Sequence, residues 1–138
     1  MRASVKVISQ PIEVQEILAS VQSLSAGCAV LFIGTVRNRS EAGAVFGMDV
    51  EAAKDLALKD LRRISADAGR RYGLTKVTVV HRVGKLSVGD MIVAVAVSAP
   101  HRDEAFSACR YIVDELKRTT PIWKKESLKG GSKWVEAR

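Results

Sequence analysis

A chain of 138 residues and 15.0 kDa has room for one core, so residues 1–138 are read as a single domain; 47% hydrophobic and 27% charged residues exclude a disordered or fibrous protein. The formal charge of +7 points to an anionic partner, but seven cations against two acids from Lys117 to Arg138 supply +5 of it, and the remaining 15 cations and 13 acids nearly cancel. The longest apolar runs, residues 28–33 and 91–97, are far shorter than the ~20 residues that cross a bilayer, and residues 1–6 lack the apolar stretch of a secretory signal, so a cytoplasmic location without membrane contact is expected.

Val5, Val7 and Ile8 mark a first short strand. Pro11 then opens a helix over about residues 11–24, with Ile12, Ile17, Leu18, Val21 and Leu24 on one face. After Gly27 the β-rich run 28–33 reads as a central strand ending at Gly34-Thr35-Val36-Arg37, and residues 38–43 read as a polar loop of the kind that carries function. Leu56, Leu61, Ile64 and Ala68 recur at helical spacing and predict a second helix over 51–72, closed by Gly73. Val77, Val79 and His81 alternate with Thr78, Val80 and Arg82 in the next strand, and residues 83–90 form a turn-bearing connection into an apolar strand at 91–98. Pro100 stops that strand. A third helix follows over 103–117 with Phe106, Ile112, Val113 and Leu116 inward, then Pro121, and finally a Gly130-Gly131-Ser132 turn into a short strand at 133–136. Few helices and a connection short enough for a hairpin predict an α+β fold, a two-layer sandwich with helices on one face of a mostly antiparallel sheet.

Cys28 and Cys109 lie far apart without CxxC spacing, so both are read as small buried hydrophobes, and with two histidines no zinc centre is expected. The chain lacks GxxxxGK[ST], GxGxxG after a strand, GxSxG and HExxH, which removes the signatures of nucleotide, dinucleotide, esterase and zincin chemistry. Aromatic residues at 5% are thin for a surface that stacks single-stranded bases.

Three places collect polar groups that packing does not require. Arg37 ends a strand, where a solvated arginine is the competing explanation. His101 and Arg102 precede a helix whose free N–H groups favour an anion; either they form a phosphate seat, or His101 caps the helix and Arg102 pairs with Asp103. Lys117 lies in a last helical turn, where any lysine gains ~0.3–1 kcal/mol from the helix dipole. Lys124 follows the rigid Pro121-Ile122-Trp123, which restricts where it points; clustered lysines resist protonation, and a lowered pKa suits a nucleophile or a general acid–base.

The ordered set Gly34-Thr35-Val36-Arg37-Asn38, His81-Arg82-Val83-Gly84, Gly89-Asp90, His101-Arg102, Ala105-Phe106, Leu116-Lys117, Pro121-Ile122-Trp123-Lys124-Lys125-Glu126 and Trp134-Val135 resembles the large, catalytic subunit of molybdopterin synthase, the MoaE family, nearly end to end. The resemblance implies an α/β hammerhead fold with an added antiparallel β subdomain. It also implies a sulfurtransferase of molybdenum cofactor biosynthesis that works without metal or organic cofactor. The family assembles as a heterotetramer, a homodimer of large subunits flanked by small ubiquitin-like sulfur carriers. Each carrier brings its C-terminal Gly-Gly thiocarboxylate to cyclic pyranopterin monophosphate to build the molybdopterin dithiolene.

Carried across residue by residue, the resemblance makes Lys117 and Lys124 catalytic, and Arg37, His101 and Arg102 substrate-binding. Arg138 matches an arginine given by the neighbouring large subunit. These cations are expected to crowd one cavity that receives anionic reactants. The chain departs from the family at Val50-Glu51-Ala52-Ala53, where an aromatic Tyr-Glu-Ala-Tyr stretch is common, and the preceding residues 38–48 look short; the departure is expected to alter packing, substrate fit or the carrier interface near helix two and to leave the lysine site untouched. Two rival readings are a small basic nucleic-acid-binding domain and a non-catalytic scaffold for a ubiquitin-like partner.

Overall fold

The structure, a computed structural model, describes residues 1–135. In chain order the elements are β1 (Arg2–Ile8), α1 (Val14–Val21), β2 (Cys28–Thr35), β3 (Arg39–Ser40), β4 (Gly43–Ala52), α2 (Lys54–Tyr72), β5 (Lys76–Arg82), β6 (Gly84–Ser87), β7 (Met91–Ala99), α3 (Arg102–Thr119), β8 (Ile122–Leu128) and β9 (Gly131–Val135). One sheet has the order β1-β5-β7-β2, antiparallel except for the parallel pair β1 and β5. A second, antiparallel sheet runs β3-β4-β8-β9, with β6 also paired to β4. The expected α+β sandwich with an added β subdomain is therefore observed.

Strand alternation sorts the core. Val77, Val79, Val93, Val95 and Val97 face α2 and α3 in one cluster, while Val80, Ala94 and Ala96 face Ile17 and Val21 of α1 on the opposite side. Only α2 and α3 thus share the expected face. Helix α1 is shorter than the span 11–24, because Gln22 is already extended, and Leu24 is fully exposed rather than inward. Phe106 is also exposed; α3 buries Ala105, Ala108, Cys109, Ile112 and Leu116 instead. Helix α2 ends as predicted, at Gly73 in the left-handed conformation (φ 62°), whose N–H caps the Gly69 carbonyl.

Strand β2 is an edge strand, not a central one. Its unbroken apolar run misleads because α3 covers Val30 and Phe32 on one face while Leu31 joins the α1 cluster on the other. The polar loop at 38–43 is a tight hairpin joining β3 to β4, with Ser40 opposite Gly43. Among the described residues no helix is long and apolar enough to cross a membrane.

Candidate active site

Strands β2 and β5 both run antiparallel to β7, so their carboxyl ends meet at one end of the first sheet. Arg37 lies two residues beyond β2 there, and His81 is the penultimate residue of β5. Helix α3 starts at the other end, beside Cys28 and Ala99, and returns to this one. Lys117 in its last turn comes within 5.9 Å of the Phe32 ring, a cation over an aromatic face.

The chain then reverses. Ile122 N–H bonds the Thr120 carbonyl (2.8 Å), Ala53 N–H bonds the Pro121 carbonyl (3.1 Å), and β8 carries Lys124 into register with Val50 of β4. An anchor on α2 holds this reversal. Asp60 Oδ2 accepts from the hydroxyls of Thr119 (2.7 Å) and Thr120 (2.8 Å), and its Oδ1 accepts from Arg63 (2.8 Å). Burial raises the Asp60 pKa, but these donors outweigh it and hold the carboxyl below its usual value.

Lys117 and Lys124 are thereby brought together. Burial lowers the Lys124 pKa, and the positive charge of Lys117 lowers it further. Within electrostatic reach of Lys124 lies His81, 1% exposed and paired with Val7 and Val93 in the first sheet. Its Nδ1–H donates to the Arg82 carbonyl (3.0 Å), which leaves Nε2 unprotonated. Burial, and then the charge of Lys124, push the imidazole pKa down to about 4. The cluster therefore combines a polarising or proton-transferring lysine pair with a neutral imidazole and an aromatic wall.

The other expected cations are placed differently. Arg37 is exposed at the lysine end of the sheet. His101 and Arg102 are exposed at the start of α3, and the 15 residues from Arg102 to Lys117 put them about 22 Å away along the helix axis. One chain therefore does not gather all the expected cations around one cavity, because a rigid helix holds them apart. His101 occupies the cap position without a side-chain cap bond, and Arg102 forms no ion pair among the described residues, so neither structural explanation for them is realised. Arg138 lies outside the described residues. Two cavities, of about 550 Å³ beside Cys28 and Ser98 and about 300 Å³ between β1 and α1, are lined by neither lysine.

Three contributors escaped the sequence reading of the site: His81, Phe32 and Asp60. The alternation at Val77, Val79 and His81 already marks His81 as inward, which is the one signal that could have found it. The segment Val50-Glu51-Ala52 is also corrected. It ends β4 rather than starting helix two, and Val50 lies directly across from Lys124. The departure from the aromatic stretch therefore borders the lysine site.

A family model described as MoaE protein matches residues 7–119. The chain is 37% identical to the molybdopterin synthase catalytic subunit of Pyrococcus abyssi, over 98% of this chain and 93% of that one. It is similar to the crystal structure of molybdopterin synthase from Staphylococcus aureus, with TM-score 0.90, 32% identity and 94% of each chain covered. It is also similar to the molybdopterin biosynthesis MoaE protein from Burkholderia ambifaria, with TM-score 0.84, 36% identity, and 99% of this chain and 90% of that one covered.

Proposed function

Because the chain belongs to the MoaE family, we infer that it is the catalytic, sulfur-transferring subunit of a molybdopterin synthase. The observation that carries the reading from family to chemistry is the pairing of Lys117 with a partly buried Lys124 whose charge is disfavoured by burial and by its neighbour. The nucleic-acid and scaffold readings find no support among relatives called catalytic subunits. That same word, subunit, supports a second component; the family resemblance makes it a small ubiquitin-like carrier ending in a Gly-Gly thiocarboxylate, which meets cyclic pyranopterin monophosphate in the cytoplasm.

In this reading the thiocarboxylate sulfur attacks an oxygen-bearing carbon of the pterin side chain, forming a C–S bond as the C–O bond there breaks and the departing oxygen takes a proton, and leaving the carrier joined through an acyl–sulfur link. Lys117 transfers protons or transiently holds the reacting carbon, and Lys124 polarises the intermediate. Water cleaves the acyl link, the sulfur stays on the pterin, and the carrier departs as a carboxylate. A second loaded carrier repeats the step. The cations suit a cavity that two anions must enter.

A homodimer resolves the separation of the cations. The β2 edge is open in the single chain, and its apolar residues 30–33 are only partly buried. Two-fold antiparallel pairing of two such edges, each strand about 23 Å long, sets the Cys28 end of one against the Thr35 end of the other. The partner's His101 and Arg102 then approach Arg37, Lys117 and Lys124, and Arg138 is assigned the same role in trans.

The test is turnover in a purified assay with loaded carrier. Lys117→Ala abolishes dithiolene formation while carrier binding persists; near-normal turnover removes Lys117 from the mechanism.

A further inference from the structure

Arg37 follows a segment that is held unusually firmly for a strand end. Pairing of β2 with β7 shifts register between Gly34 and Thr35, an irregularity of the kind that re-aims the following side chains. Val36 comes next, 2% exposed and packed with Leu86 and Ile92. Its N–H donates to the Asp90 carbonyl (3.0 Å) and its carbonyl accepts from Gly89 N–H (2.8 Å), so both backbone groups of the residue before Arg37 are tied to one turn.

That turn is closed by a side chain. The Asp90 carboxylate accepts the Ser87 N–H (2.8 Å), the Asp90 N–H donates back to the Ser87 carbonyl (3.0 Å), and Gly89 supplies the positive φ (91°). Arg82 approaches the same carboxylate oxygen at 3.6 Å with its side chain only 16% exposed, and its Nε is buried without a partner. A largely buried guanidinium with one long ion pair is a costly arrangement, and its partner is the carboxylate that closes the turn.

We propose that Asp90, held by Arg82, is a positioning residue for Arg37: it fixes the turn whose two backbone bonds to Val36 aim Arg37 at the substrate anion. The inference rests on the reading of Arg37 as a substrate-binding residue. Neither Asp90 nor Arg82 touches substrate in this assignment.

The test is a double-mutant cycle on the assembled synthase with loaded carrier, reading kcat and KM for cyclic pyranopterin monophosphate. Arg37→Ala raises KM. Asp90→Ala raises KM about five- to tenfold with kcat within about twofold, and adds less than about twofold in the Arg37→Ala background. Asp90→Asn, which keeps an acceptor for Ser87 N–H, and Arg82→Met, which removes the ion pair, shift KM in the same direction and carry the test if Asp90→Ala fails to fold. An equal KM factor in both backgrounds, or no KM change in any of the three, overturns the proposal. An unchanged KM in Arg37→Ala alone overturns the substrate-binding reading instead, so the two failures are distinct.

Discussion

Lys124 holds a positive charge where burial and Lys117 both oppose it. Its folded-state pKa is lowered, so the fold binds fewer protons there than the unfolded chain does, and stability rises with pH as the chain titrates up toward the ordinary lysine value. At neutral pH the charge costs stability. Lys124→Met therefore raises the melting temperature while dithiolene formation falls; an unchanged or lower Tm contradicts the account. His81 works in a lower window. Its pKa of about 4 against an ordinary 6.5 means that the stability of the neutral imidazole is complete above pH 6.5 and is lost as pH falls toward 4. The lost amount is roughly 3 kcal/mol. Urea unfolding at pH 7 and pH 4.5 should show most of that loss in the parent chain and little of it in His81→Leu; parallel losses sink the assignment.

At the scale of elements, the site depends on how α3 stops. Thr119 and Thr120 end the helix on a carboxylate of α2, so the anchoring of Lys117 and the reversal into β8 share Asp60. Asp60→Ala leaves the largely buried Thr120 hydroxyl without its acceptor and costs about 1–3 kcal/mol. It also lowers kcat by loosening the lysine pair, measured as denaturant midpoint and turnover on the same preparation. Retained turnover with lost stability would show that the reversal holds its geometry without the brace. The second sheet contributes from its own side. β8 is a polar strand, Ile122-Trp123-Lys124-Lys125-Glu126-Ser127-Leu128, held between β4 and β9, with Glu126 accepting from Ser40 (2.7 Å) on the β3 hairpin.

For the whole molecule, the separation of about 22 Å between Arg102 and Lys117 along α3 decides what a single chain can do. If the partner's Arg102 completes the site, a Lys117→Ala chain mixed with an Arg102→Ala chain forms heterodimers with one intact and one doubly broken site. Subunit exchange then restores about a quarter of parental activity from two inactive preparations, since random mixing makes half the two-fold dimers mixed. No recovery on mixing places Arg102 outside the shared site.

The sequence by itself determined the family, the core faces of α2 and β5, the apolar run of β7 and the Gly73 stop, and it singled out the two lysines, because each is written in local spacing or in an ordered motif. It did not disclose β4, β6 or β8. Gly43–Ala52 mixes glycine and aspartate with apolar residues, and Ile122–Leu128 sets two lysines and a glutamate behind a rigid proline segment, yet each becomes a strand because distant segments satisfy its backbone. Nor could the order of residues show that Val50 borders Lys124, that His81 is buried within its electrostatic reach, or that Arg102 and Lys117 are held apart. Those relations arise from pairing and packing across the chain, and proximity of that kind is set by the tertiary fold rather than by local pattern.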